Sequence, residues 1–213
     1  MTIEEVFDLL VDLNIENEDD EWTINKKIVK AGYDIHKFSI YSGASKFCLV
    51  FKDTDFVLKW AREDEFHTYN EAVKEAEIYE NAKCVGLECF FPKTKIFGEF
   101  NGIIFVAQEK IDFSVIHVPK TKDAKYDRIV RTTTNHIKDK MQKQFDEACS
   151  NNKHARVLNK RWAGMVLSLY GKRKAKQLCQ FIIKHQINDL HSDNLGYKND
   201  RPIIFDFSGY SRD

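Results

Sequence analysis

Residues 2 to 13 carry apolar side chains at helical spacing, Ile3, Val6, Phe7, Leu10 and Leu13, and Thr2 with Glu5 forms a capping-box pattern. This predicts an amphipathic helix on the outside of a first lobe. The acidic stretch from Glu16 to Glu21 reads as a solvated loop. From Phe38 onward the period changes to that of strands. Residues 38–41, 47–51 and 56–60 are apolar runs, joined by a connection at 42–46 and a polar turn at 52–55. Tyr69 to Ala82 is rich in helix formers. Lys93 to Phe97 and Ile103 to Gln108 are then two further strands around a turn whose Asn101-Gly102 pair is a strong hairpin signal. Hairpin-joined strands with one helix among them, followed by a mainly helical stretch, predict an α+β fold.

Beyond residue 112 strand signals largely vanish. Residues 126–150, 158–170 and 173–186 read as helices, the last with Leu178, Phe181 and Ile182 facing inward and His185 as a further candidate. The boundary falls near residue 112 and predicts two domains, 1–112 and 113–213. A mainly polar loop, Asn188 to Asn194, then separates Ile187 from a β-like run, Ile203 to Phe207, that carries Asp206.

Composition is that of a folded globular chain, with 43% hydrophobic and 31% charged residues. No run of about 18 apolar residues exists, and the N-terminus is acidic, so a cytoplasmic protein without a membrane span is expected. The five cysteines are scattered with no close CxxC pair, which predicts free and buried thiols rather than a disulfide frame or a zinc knuckle. Net charge is zero by cancellation: residues 1–113 carry 13 basic and 23 acidic side chains, residues 114–188 carry 17 and 5, and residues 189–213 carry 3 and 5. The basic middle segment offers a face for acidic or nucleic-acid partners, or a solvated helix surface.

Two places in the chain carry polar groups that a core does not ask for. Lys59 lies inside an apolar strand, where a charge is costly unless paired, and strand alternation puts it on the same face as Val57. An edge-strand lysine guarding against aggregation is the alternative. The second place is the loop with Asp189, His191 and Asn194, followed by Asp206 in the string Ile203-Ile204-Phe205-Asp206-Phe207-Ser208-Gly209. The five-residue step from Asp189 to Asn194, with Asp206 a dozen residues on, resembles the catalytic loop and metal-binding turn of the protein-kinase-like superfamily. The string Asp189-Leu190-His191 with Asn194 is similar to the aminoglycoside and choline phosphotransferase branch, whose loop often reads DLHxxN.

The resemblance implies a two-lobed fold, with a five-stranded antiparallel small lobe holding one main helix and a truncated, mostly helical second lobe. It implies an ATP- and Mg²⁺-dependent transfer of the γ-phosphate to a hydroxyl of a protein or small molecule. Asp189 would orient the acceptor hydroxyl and take its proton, and His191 falls where protein kinases carry a lysine directed at the γ-phosphate. Asn194 and Asp206 would hold Mg²⁺, which favours hard oxygen ligands. Lys59 would hold the α- and β-phosphates. Of the glutamates on the following helix, Glu71, Glu75, Glu77 and Glu80, the family's packing pattern selects Glu75 as its partner, with Ile78, Tyr79 and Ala82 in packing positions. Gly43 and Ser45 fall in the connection that would cover the phosphates, although it carries one glycine where protein kinases have GxGxxG. Val57 would contact the adenine, Gln108 would sit at the back of its pocket, and the backbone of Glu109 and Ile111 would bond its edge.

Two features depart from protein kinases. Asn188 replaces the arginine that grips a phosphorylated activation segment, and the sequence ends four residues after Gly209. Together they lead to the expectation of a minimal member similar to RIO-type kinases, without an activation segment. Two other readings use the same residues. His185, Asp189, His191 and Asp193 form a string that could bind a transition metal in a hydrolase. A catalytically weak binding module holding a partner through its basic lobe is the third.

Overall fold

The structure is a computed structural model that describes residues 2–43, 45–62, 70–111, 160–187, 190, 194–199 and 201–208. The chain divides into two compact units. The first comprises the residues up to Glu80 together with Lys93–Lys110, and the second comprises Asn81–Pro92 and the residues from Ile111 to Tyr210.

In the first unit, α1 (Ile3–Asp12) starts at Thr2, whose hydroxyl accepts from the Glu5 N–H while the Glu5 carboxylate accepts from the Thr2 N–H. Both halves of the capping box are therefore made. The acidic loop is exposed at Glu16, Glu18 and Asp20 as read, with Asp19 buried, and it leads into a second helix, α2 (Glu21–Lys30), that sequence reading did not assign. Asp20 caps α2 by accepting from the Thr23 N–H at 2.7 Å. Asp19 is buried against Lys27 at 2.6 Å and also accepts from the Glu16 N–H. Ile24 and Ile28, one turn apart, are fully buried.

Five strands follow: β1 (Phe38–Ser42), β2 (Lys46–Phe51), β3 (Phe56–Ala61), β4 (Thr94–Phe100) and β5 (Ile103–Glu109), with α3 (Glu71–Cys84) between β3 and β4. They form one antiparallel sheet in the order β1-β2-β3-β5-β4. The β4–β5 turn has Asn101 and Gly102 at φ of 50° and 77°, the left-handed pair that a two-residue hairpin needs. Lys59 lies on β3, the middle strand, which removes the edge-strand reading.

The two faces of this sheet differ. Phe38, Ile40, Phe47, Leu49, Phe51, Leu58, Trp60, Ile103, Phe105 and Ala107 join Val6, Leu9, Leu10, Leu13, Ile24 and Ile28 of α1 and α2 in one aromatic-rich core. Phe47 stacks on Trp60 at 5.3 Å between ring centres, and Phe7 meets Phe105 edge-on at 5.6 Å. On the opposite face Ala72 and Ala76 of α3 pack on Val106 of β5. Small residues at this contact let the helix lie close to the sheet.

The second unit contains α4 (Lys160–Lys184), β6 (Leu195–Lys198) and β7 (Arg201–Ile204). The helix is interrupted at Gly171, whose φ of 74° and ψ of 171° break it where the sequence separates 158–170 from 173–186. Leu178, Phe181 and Ile182 are buried as read, and His185 is half-buried with its ring 4.2 Å from that of Phe181. Strands β6 and β7 form a hairpin. The helix read at 126–150 lies outside the described residues.

The four described cysteines are free, but they are not uniformly buried. Cys84 is exposed and Cys179 is buried, its thiol pushed up to about 12 by burial. No helix among the described residues is long and apolar enough to cross a membrane.

The α2 cap has a pH signature. The hydroxyl and N–H of Thr23 donate to Asp20 and hold its carboxyl below the ordinary value. A depressed folded value contributes stability that is full above the unfolded value and lost as pH falls through the folded one. Asp20→Ala is expected to melt at lower temperature than wild type at pH 7, with the gap narrowing as the pH drops below the ordinary carboxylate range. A gap independent of pH would contradict this.

Candidate functional site

The strand register places a polar cluster on the sheet face that α3 covers. Val57 lies opposite Gln108 and Lys59 opposite Val106 on β5, while Cys48 of β2 lies opposite Lys59. Directly opposed residues share a face, so Lys46, Cys48, Val57, Lys59 and Gln108 all stand on the side away from the aromatic core. Burying charge here is tolerable only with close partners.

Glu75 supplies them. Its side chain is 0% exposed. One oxygen, Oε2, accepts from Lys59 Nζ at 2.9 Å and from Gln108 Nε2 at 3.0 Å, and the other, Oε1, accepts from Lys46 Nζ at 2.7 Å. Gln108 also donates to the buried Thr94 hydroxyl at 3.2 Å. One turn earlier on α3, the buried Glu71 accepts from the Ser45 hydroxyl, with its carboxylate 3.8 Å from Lys46 Nζ. Two lysines and two glutamates thus meet in one buried network, formally balanced in charge. Good geometry and further hydrogen bonds to the carboxylate are what let buried ions offset their desolvation.

Several of the candidate residues therefore come together in the first unit: Lys59, Glu75, Gln108 and Ser45 in one network, with Val57 beside Gln108 on the same face. Gly43 closes the β1–β2 turn by donating its N–H to the Lys46 carbonyl at 2.8 Å. The Glu109 N–H donates to the Lys93 carbonyl at 2.8 Å.

In the second unit, Ile111 packs with Ile203 and Phe205. Asn194 precedes β6 and is buried, and its carbonyl accepts from the Phe205 N–H at 3.1 Å. The hairpin brings Asn194 to within one residue of Asp206 at its open end, with Asp206 half-buried. Their oxygens are a hard donor set of the kind that suits Mg²⁺. Ile187 and Leu190 are buried on either side of Asp189. Asp189, His191 and Asp193 lie outside the described residues, so of the alternative metal string only His185 is described. No cluster of three or more metal-ligating side chains occurs among the described residues.

Lys46 and Thr94 were not singled out by sequence reading, and Glu71 was weighed and passed over. Lys46 heads an apolar strand and shares the parity of Cys48 and Val50, which was a usable signal. Glu71 was set aside because Glu75 occupies the position four residues on where the family's pattern has an apolar residue; Lys46 lies close to both carboxylates and offsets their repulsion. A shallow hollow of about 380 Å³ bordered by Trp22, Asn25, Phe47 and Arg62 shares no residue with the network.

No protein-family model matches this chain, and searches of curated proteins and of solved structures returned no match.

Removing the shared carboxylate strands two buried ammonium groups. Glu75→Gln is expected to destabilise the protein by about 3–5 kcal/mol in urea unfolding, against under ~1 kcal/mol for Glu77→Gln on the exposed side of the same helix. Equal effects from the two substitutions would contradict the network.

Proposed function

We propose that the protein is an ATP- and Mg²⁺-dependent phosphotransferase of the protein-kinase-like type, with a five-stranded small lobe and a helical second lobe, moving a phosphoryl group to a hydroxyl of a protein or small molecule. The observation that carries the reading is the buried ion pair between Lys59, on the middle strand of a β1-β2-β3-α3-β4-β5 unit, and Glu75 on its single inter-strand helix. A lysine held in this way is a fixed positive charge, preorganised before any substrate arrives. That is what the α- and β-phosphates of a nucleotide require of a protein whose catalysis is positioning and charge neutralisation.

The other roles follow the resemblance residue by residue. Val57 and Gln108, cross-strand neighbours, would line the adenine side, with the backbone of Glu109 and Ile111 at its edge. Gly43 and Ser45 belong to the turn over the phosphates. Asn194 and Asp206 would hold Mg²⁺, which neutralises phosphate charge when bound. Asp189 would orient the acceptor hydroxyl and accept its proton, and His191 would lie toward the transferred group.

Incubation with Mg²⁺, γ-labelled ATP and a cell lysate is expected to give label transfer to an acceptor. Asp189→Ala should lower the rate by about 10²–10⁴-fold, the usual contribution of a positioned base. Label transfer no greater than that of Asp189→Ala would overturn the assignment.

A further inference from the structure

We propose that Lys46 is a second phosphate-holding cation, so that Lys46 and Lys59 together form the binding site for the polyphosphate of a nucleotide; this rests on the nucleotide-binding role given to Lys59 above. The resemblance assigns Lys46 nothing. Yet its ammonium bonds one oxygen of the carboxylate whose other oxygen bonds Lys59. The two Nζ atoms are thus bridged by a single carboxylate group.

The register explains how they meet. Cys48 lies directly opposite Lys59, and Lys46 is two residues further along β2, on the same face and diagonal to Lys59. The antiparallel pairing of two strands therefore sets the lysines side by side, and α3 supplies the anion that holds both.

Lys46 offsets the charges of Glu71 and Glu75, and its place beside Lys59 on the same carboxylate gives that charge a second use on an arriving anion. Lys46 and Lys59 keep 8% and 7% of their surface exposed, whereas Glu75 is 0% exposed.

A third cation adds to the field. Lys74 follows Glu71 by three residues on α3 and is half-buried. Burial holds its ammonium below the ordinary lysine value, with Glu71 opposing the shift and the Lys46 charge adding to it. Lys46 follows Ser45 at the end of the Gly43–Lys46 turn. Three lysines against two glutamates leave the cluster cationic, which suits a ligand with several negative charges in a row, a di- or triphosphate rather than a single carboxylate.

The test uses the full chain and two probes, inorganic tripolyphosphate and ATP, titrated calorimetrically into wild type, Lys46→Met, Lys46→Arg and Lys59→Met. Wild type is expected to bind both probes. Lys46→Met should weaken both by about tenfold or more, the loss of one charge-assisted hydrogen bond, and Lys46→Arg should keep most of the affinity. Wild-type affinity in Lys46→Met, with loss in Lys59→Met alone, overturns the second cation and leaves the phosphotransferase reading in place. Tripolyphosphate binding that needs both lysines, without ATP-dependent label transfer, upholds the anion site and sinks that reading instead. Absence of binding of either probe to wild type overturns both. A measurement without mutants covers the case in which Lys46→Met does not fold. ATP acylated on its terminal phosphate transfers the acyl group to nearby amines, and peptide mapping should find it on Lys46 as well as Lys59. Acylation of Lys59 without Lys46 would overturn the proposal.

Discussion

One fully buried carboxylate organises the charged face of the first unit's sheet. Glu75 cannot lie where it does without cations, because an unpaired charge in that position would cost several kcal/mol. Lys46 and Lys59 cannot stand under α3 without an anion. The three groups depend on each other, and Gln108, anchored in turn by Thr94, fixes the orientation of the carboxylate. The same contacts tie α3 to β2, β3 and β5 at once. A polar network that holds a helix to a sheet is an unusual substitute for apolar packing, and on this face the apolar cluster between helix and sheet is the small one of Ala72, Ala76 and Val106.

The opposite face makes that arrangement affordable. There the sheet meets α1 and α2 through Trp60, Phe105, Phe47 and a set of buried aliphatic residues, with several aromatic rings in edge or stacked contact. Burial of this extent supplies the main hydrophobic stabilisation of the unit. Strand alternation then separates the two duties residue by residue: Leu58 and Trp60 serve the core, while Val57 and Lys59 serve the charged face. A shift of one residue in register would exchange them.

Much of this was legible in the sequence. The five strands, the Asn101-Gly102 turn, α1 with its capping box and the break between the two halves of α4 all carry local signals, and each appears within one to three residues of its expected place. The Lys59–Glu75 pair was legible through the packing pattern around it, since Ile78 and Ala82 follow Glu75 on one face and are buried. The second helix was not read, because its apolar stripe is narrow and its cap sits inside an acidic run that looks solvated until Lys27 is seen to pair with Asp19. The share of Glu75 held by Lys46 was not read either. It depends on which strand lies beside β3 and in what register, and no local pattern states that. The part of the reading that concerns Asp189 and His191 rests on motif spacing alone.

The central claim is that Glu75 and Lys59 are an energetically coupled pair inside the fold. A double-mutant cycle tests it most directly: urea unfolding of wild type, Lys59→Met, Glu75→Gln and the double variant. Each single substitution strands a buried partner and the double one relieves it in part. The expected interaction energy is therefore about 0.5–3 kcal/mol. Effects that simply add would contradict the account.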